Sequence, residues 1–160
     1  MNKTLRSMNF SDPITVLSVA TSDEDHAWLS ELVSTRQWWP SGSESNWQLE
    51  TCASLVGALP ILKNHSVSVV ICEQDLGAAS WRELLTELSA LPDPPCLIVT
   101  SRTADEYLWA EALNLGAFDV LAKPFEPREV TRVLSSAWFH RRHRKGTSPR
   151  APKVRAALAS

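Results

Sequence analysis

The sequence predicts an α/β domain of five β–α units wound around a parallel sheet. Three observations lead there. Short apolar runs rich in β-branched residues alternate with stretches of helical period, the pattern of βαβ units with right-handed crossovers. The run at 96–100, CLIVT, has the continuous apolar character of a strand covered on both faces. Helix start and stop residues, among them Ser22, Pro92 and Gly116, fall between the runs.

In chain order, residues 14–20 (ITVLSVA) form the first predicted strand. Ser22 caps a helix over 23–36, where Trp28, Leu29, Leu32 and Val33 share one face. A loop rich in Ser, Gly and Pro spans 38–46, where Trp38 and Trp39 are hard to bury and offer a second contact surface. A weak strand at 47–51 and a short helix at 53–62 follow. Residues 65–72 (HSVSVVIC) are the clearest strand, and 81–91 a helix ended by Pro92. After the strand at 96–100, Thr103 and Glu106 have the spacing of a capping box. That helix runs to Leu115, with Gly116 at its C′ position. Residues 118–122 are the fifth strand. The last helix covers 126–140, with Val130, Val133, Leu134, Ala137 and Trp138 on one face. No internal repeat is visible.

Length and composition narrow the class. A chain of 160 residues is about one domain and buries roughly two thirds of its unfolded surface, so it needs no disulfide or metal to hold a core. At 44% hydrophobic and 21% charged residues it is neither fibrous nor wholly disordered. No apolar run approaches the ~18 residues of a membrane span. Residues 1–13 are polar, which argues against a signal peptide. Cys52, Cys72 and Cys96 are odd in number and lack metal-ligand spacing, so they read as free thiols in a reducing, cytoplasmic compartment. Charge is unevenly spread. Seven cations lie between His140 and the end, with no acid after Glu129, leaving the preceding residues 9 basic and 18 acidic side chains, a net of −9. The expected organisation is an N-terminal extension (1–13), the α/β domain (14–140) and a basic tail (141–160), flexible from Gly146 onward.

In an open parallel sheet, ligands bind beyond the carboxyl ends of the strands. That rule selects Ala20, Thr21 and Asp23, then Glu73 and Asp75, then Thr100 and Ser101, then Lys123. An acid, a hydroxyl and an ammonium at one edge suit a metal–phosphoryl or anion site. They equally suit a partly exposed Glu73–Lys123 salt bridge, and geometry alone leaves both open. His26, His65, His140 and His143 show neither ligand spacing nor a nearby nucleophile, so an enzyme working through histidine is not expected.

Strand three ending in Glu73, the Asp75-Leu76-Gly77 turn, Thr100 closing strand four, and the segment GAFDVLAKPF at 116–125 carry a resemblance. Over about 14–140 the chain resembles the receiver domain of two-component response regulators. The resemblance implies a flavodoxin-like, doubly wound three-layer sandwich with sheet order 2-1-3-4-5. It also implies signalling through an acidic pocket in which an Asp accepts a phosphoryl group from a histidine kinase with Mg²⁺ bound. Thr100 matches the hydroxyl that binds the phosphoryl group, and Lys123 the lysine that pairs with it. Lys123-Pro124 matches a peptide that is usually cis, and the backbone carbonyl of Asp75 a metal ligand.

The departures from that pattern set the functional expectation. Glu73 stands at the acceptor position, and its extra methylene carries the carboxylate about 1.5 Å further out. A misplacement of about 1 Å costs on the order of 10²-fold in a positioned reaction. Ala20 and Thr21 occupy the positions of the paired acids that hold Mg²⁺, which demands hard oxygen ligands. Asp23 and Glu24 substitute only if the loop is re-registered, and a carboxylate there also serves the helix dipole. Val120 replaces an aromatic residue. The expectation is a pseudo-receiver with no cofactor, or weak Mg²⁺ at most, acting by docking. The alternatives are inefficient phosphorylation of Glu73 and a DNA-binding adaptor working through the tail. A flavin protein of the same fold is disfavoured because no Gly-rich loop follows strand one.

The expected partner is a histidine kinase or output protein on the face of helix four, strand five and helix five, with Tyr107, Trp109 and Trp138 as contact candidates. The basic tail is a candidate nucleic-acid contact, although a solvated charge run is the preferred reading.

Overall fold

The structure is a computed structural model and describes residues 13–35, 37–39 and 46–145. Five strands and five helices alternate: β1 (Pro13–Val19), α1 (Asp23–Ser34), β2 (Asn46–Cys52), α2 (Leu55–Asn64), β3 (Val67–Glu73), α3 (Trp81–Ser89), β4 (Cys96–Ser101), α4 (Glu106–Leu115), β5 (Asp119–Ala122) and α5 (Pro127–Lys145). All strands pair in parallel, in the order β2-β1-β3-β4-β5. This is the flavodoxin-like sheet that the sequence led us to expect.

The strands' two-residue period divides the core in two. Val70, Cys72, Leu97 and Val99 pack with α2, α3 and α4 through Leu62, Trp81, Leu84, Leu88 and Leu108. Val69, Ile71, Cys96 and Ile98 pack with α1 and α5 through Leu29, Leu32, Val130 and Leu134. Burial on both faces explains the unbroken apolar runs. All three cysteines are free, and burial pushes the Cys72 thiol up to about 12. Among the described residues, no helix is long and apolar enough to cross a membrane.

Four local expectations are corrected. The cap of α4 is Asp105, whose carboxylate accepts the Leu108 N–H, while Thr103 is held in a turn by the Ser101 hydroxyl. The capping box forms instead on α3, between Ser80 and Glu83. Trp39 is buried, stacked 4.7 Å from Trp47, and its indole N–H donates to the Leu32 carbonyl. Trp38 is half-buried, with the Arg128 guanidinium 5.7 Å from its ring and its carbonyl accepting the Thr131 hydroxyl. The loop after α1 is thus pinned to α1 and α5, and neither indole is left as a free contact surface.

The fourth correction concerns the domain edge. The last helix continues past His140 to Lys145, so residues 141–145 belong to that helix and not to the tail. No Gly or Pro interrupts this stretch, and a tertiary anchor holds it. Arg141 is 8% exposed and donates to the carbonyls of Asp93 and Pro94 and to the Asp93 carboxylate. Arg144 reaches the same Pro94 carbonyl. Residues 146–160 and the extension 1–12 lie outside the described residues.

Arg141→Ala should destabilise the fold by about 1–3 kcal/mol, because it removes the charged donor's hydrogen bonds to the Asp93–Pro94 loop. Exposed Arg132→Ala should stay within about 0.5 kcal/mol. Urea unfolding measures both, and amide exchange should show the last turn of α5 losing protection only in the first. Unchanged protection there would mean that Arg141 does not anchor the helix.

Candidate functional site

The parallel register brings four strand ends to one edge. β1 stops at Val19, leaving Ala20 and Thr21 on the corner into α1, and β3 stops at Glu73. Glu73 is the register partner of Thr100 on β4, and Lys123 follows directly on β5. The Lys123–Pro124 peptide is cis, as the resemblance implied.

Both oxygens of the Glu73 carboxylate are hydrogen-bonded. Its Oε1 accepts the Thr21 backbone N–H at 3.0 Å and the Thr21 hydroxyl at 3.2 Å. Its Oε2 accepts the Lys123 ammonium at 3.1 Å. The Lys123 side chain is only 6% exposed and also lies 2.5 Å from Asp25 Oδ2, a charge contact without aligned hydrogen-bond geometry. Partial burial alone would raise the Glu73 pKa. The Thr21 N–H, the Lys123 hydrogen bond and charge, and the Thr21 hydroxyl outweigh it and hold the carboxyl below its ordinary value.

Sequence reasoning selected Glu73, Thr21 and Lys123, and the fold brings all three together. Thr100 is also at the edge, 2% exposed, its carbonyl accepting the Gln74 N–H. Asp75 is exposed beyond β3, and its carboxylate accepts the N–H of Gly77, whose φ of +88° suits a glycine. Asp23 is not brought to the site. It is exposed in the first turn of α1, and Asp25, two residues on, reaches Lys123 instead. Sequence reasoning passed over Asp25 because three consecutive acids at a helix start read as dipole charges. Helical period was the available signal, since at about 100° per residue only one of the three can face the sheet edge. Val120 is 1% exposed and packs in the core.

Two open clefts flank Lys123. One, of about 530 Å³, is lined by Glu73, Asp75, Arg82, Thr100, Thr103 and Arg102, among others. The second, of about 460 Å³, is walled by Trp28 and Phe125, whose rings lie 5.1 Å apart, with Glu24, Asp25 and Arg102. Ala20 and Thr21 present a methyl and a hydroxyl at the corner, and no carboxylate. Among the described residues, no group of three or more His, Cys, Asp or Glu is placed to hold a metal ion.

The three contact candidates part company. Tyr107 and Trp109 on α4 are 85% and 38% exposed, and Leu113, one turn beyond Trp109, is 47% exposed. Trp138 does not join them. It packs on the opposite layer with α1 and β2, its ring 6.3 Å edge-on to Trp47 and capped by the Arg142 guanidinium at 5.0 Å. The reason is topological: the sheet order sends α5 back beside α1 and turns its apolar face away from α4.

Residues 23–135 match the family model described as the response regulator receiver domain. The chain is 36% identical over 69 residues to the regulatory protein VirG of Agrobacterium tumefaciens, covering 43% of this chain and 26% of that protein. It is 36% identical over 80 residues to the transcriptional regulatory protein FixJ of Bradyrhizobium diazoefficiens, covering 49% and 38%. The chain thus spans well under half the length of these curated relatives. Among solved structures, the signal receiver domain of an HD domain-containing protein from Pseudomonas fluorescens Pf-5 superposes with a TM-score of 0.69 at 22% identity, over 82% of this chain and 99% of that one. A CheY-like receiver domain protein from Methanospirillum hungatei gives 0.69 at 16% identity, over 82% and 98%. These two likenesses concern the fold.

The depressed Glu73 pKa has a definite sign in stability. The contribution is present above the unfolded value of about 4.3 and is lost as pH falls through the folded value. Wild type should therefore exceed Glu73→Gln in stability at pH 7, and the gap should close in acid. Lys123→Met should move the Glu73 carboxyl titration, followed by ¹³C NMR, upward. A Glu73 midpoint at or above the ordinary value in wild type would contradict the pairing.

Proposed function

The chain belongs to the response regulator receiver domain family, and from that premise we propose that it is a pseudo-receiver, signalling by docking from a pocket held by Glu73 in place of a phosphoryl switch. One observation carries the reading: both carboxylate oxygens of Glu73 are already satisfied, by Thr21 on one side and Lys123 on the other. Three hydrogen bonds, one of them from a cation, draw charge away from the carboxylate and lower its nucleophilicity. Thr21 supplies two donors where the resemblance implies a metal-binding acid, so the corner favours an anion.

Mg²⁺ does not fit this set of residues. It needs several hard oxygen ligands in near-octahedral geometry. Ala20 and Thr21 offer no carboxylate, the Asp25 carboxylate is held by the Lys123 ammonium, and binding through Glu73 would require displacing Thr21 or that ammonium. The proposed protein is therefore a signalling module with no catalytic step and no resident cofactor. Its negative charge beside Lys123 is permanent, so the pocket is held in one state. Its proposed partner, a histidine kinase or an output protein, docks on the α4–β5–α5 face, where Tyr107, Trp109 and Leu113 expose apolar surface. The competing reading is slow phosphorylation at Glu73. It draws on the side chain's 20% exposure and on Thr100 and Lys123 standing in place.

Amide NMR titration with Mg²⁺, then beryllofluoride, separates the two. We expect no localised shifts in the native protein. Ala20→Asp, Thr21→Asp and Glu73→Asp made together should gain a Mg²⁺-dependent beryllofluoride response at Thr100 and Lys123. Shifts in the native protein that vanish in Glu73→Gln would establish a working acceptor and overturn the pseudo-receiver reading.

A further inference from the structure

The β1–α1 corner contains a histidine that the pocket chemistry above has not used. His26 lies in the first turn of α1 and is half-buried. Its Nε2 is 3.0 Å from the Ala20 carbonyl oxygen, and its Nδ1 is 3.1 Å from the Ser18 hydroxyl, which is 1% exposed on β1. A carbonyl only accepts, so Nε2 carries a proton. In the neutral ring, Nδ1 then accepts the Ser18 hydroxyl proton. Both ring nitrogens are committed, one to Ser18 on β1 and one to Ala20 at the corner that follows it.

The contact to Ala20 matters because of what lies across the same peptide unit. The Ala20 carbonyl and the Thr21 N–H belong to one planar trans amide, so they point in opposite directions. Holding the oxygen on the His26 side aims the N–H at the other side, where Glu73 Oε1 accepts it at 3.0 Å. A hydrogen-bonded chain therefore runs from Ser18 through His26 and the Ala20–Thr21 amide to Glu73 and on to Lys123. Such chains polarise each member and strengthen the next bond. Rotating this peptide by half a turn would present a carbonyl oxygen to the carboxylate, exchanging attraction for repulsion.

We propose that His26 is the positioning residue that makes this pocket accept an anion: by holding the Ala20 carbonyl it keeps the Thr21 N–H aimed at the Glu73 carboxylate. The proposal rests on the reading of the pocket as held by Glu73. His26 touches neither the carboxylate nor Lys123 in this arrangement, and acts through one peptide group. It adds a selective device that neither Glu73 nor Thr21 provides, because the orientation of a corner peptide is not set by the residues that use it. Ala20, with only a methyl group, offers no side-chain acceptor of its own to compete for the ring.

The test is spectroscopic and needs no partner. In His26→Ala, the Thr21 amide proton should move upfield, as its hydrogen bond lengthens, and the Glu73 carboxyl midpoint should rise toward about 4.3. His26→Gln places an amide N–H within reach of the same carbonyl and should restore both signals. If His26→Ala does not fold, Ser18→Ala removes only the outer link and should shift both signals the same way by less. Unchanged signals in the folded variants would overturn the proposal. So would equal shifts in His26→Ala and His26→Gln, which would mark His26 as packing only. Failure of the pseudo-receiver reading shows separately, as beryllofluoride shifts in the unmodified protein.

Discussion

The Lys123 ammonium, almost wholly withdrawn from solvent between Glu73 and Asp25, is the interaction on which the candidate site depends. A buried cation with one partner commonly fails to recover its desolvation cost. Here two carboxylates share it, one from the end of β3 and one from the first turn of α1, while Lys123 itself follows β5. Three elements that are distant in sequence are joined through a single charge. The two carboxylates outnumber the cation, and the Thr21 donors supply what the ammonium cannot. Removing the lysine would leave two acids facing one another, whereas removing either acid still leaves it a partner.

This arrangement gives physical meaning to the unusual residues at the edge. Glutamate is one methylene longer than aspartate, and its carboxylate reaches across to the β1–α1 corner. Thr21 meets it with a main-chain and a side-chain donor. In the proposed pseudo-receiver, Ala20 and Thr21 in place of acids and Glu73 in place of Asp are mutually consistent. Either alone would leave an imbalance: two acids beside a longer acid would repel, and two donors beside a shorter acid would fall short. Val120, packed in the core, leaves no aromatic ring on β5 to move with the state of the pocket.

At the opposite end of the sheet, a second cation does structural work. Arg141 fastens the C-terminal turns of α5 to the Asp93–Pro94 loop that leads into β4. The helix thereby outlasts the sheet it packs on and carries Arg142, His143 and Arg144 as a basic end on an otherwise acidic globule. Cations also suit a helix C-terminus, where the dipole is negative. The aromatic cluster of Trp39, Trp47 and Trp138 seals the same layer from the side. Much of the high tryptophan content is thus spent on closing the α1–α5 face, and the ring most open to a partner lies on α4.

Much of the architecture was legible in the residues. Strand runs, helix stripes and the cap at Ser22 depend on contacts a few residues apart, and near-continuous apolar strands dictate a sheet covered on both faces. Glu73, Thr100 and Lys123 were legible too, because strand ends in a parallel sheet must converge. Where competing local signals existed, local reasoning chose wrongly, as with Thr103 against Asp105 for the cap of α4. The span of α5 beyond His140 was not legible, because its support is an arginine meeting a loop 47 residues earlier. The burial of Trp39, the choice of Asp25 over Asp23, and the two donors that Thr21 turns toward Glu73 were also beyond reach. Each depends on which side chains from distant segments meet, and on how one peptide plane is rotated. By itself, the sequence determined the α/β class, the sheet edge at which the candidate residues meet and the residue types found there. Only the tertiary structure decided how those residues are partnered, because hydrogen bonds and ion pairs are set by distances of a few tenths of an ångström that no linear spacing encodes.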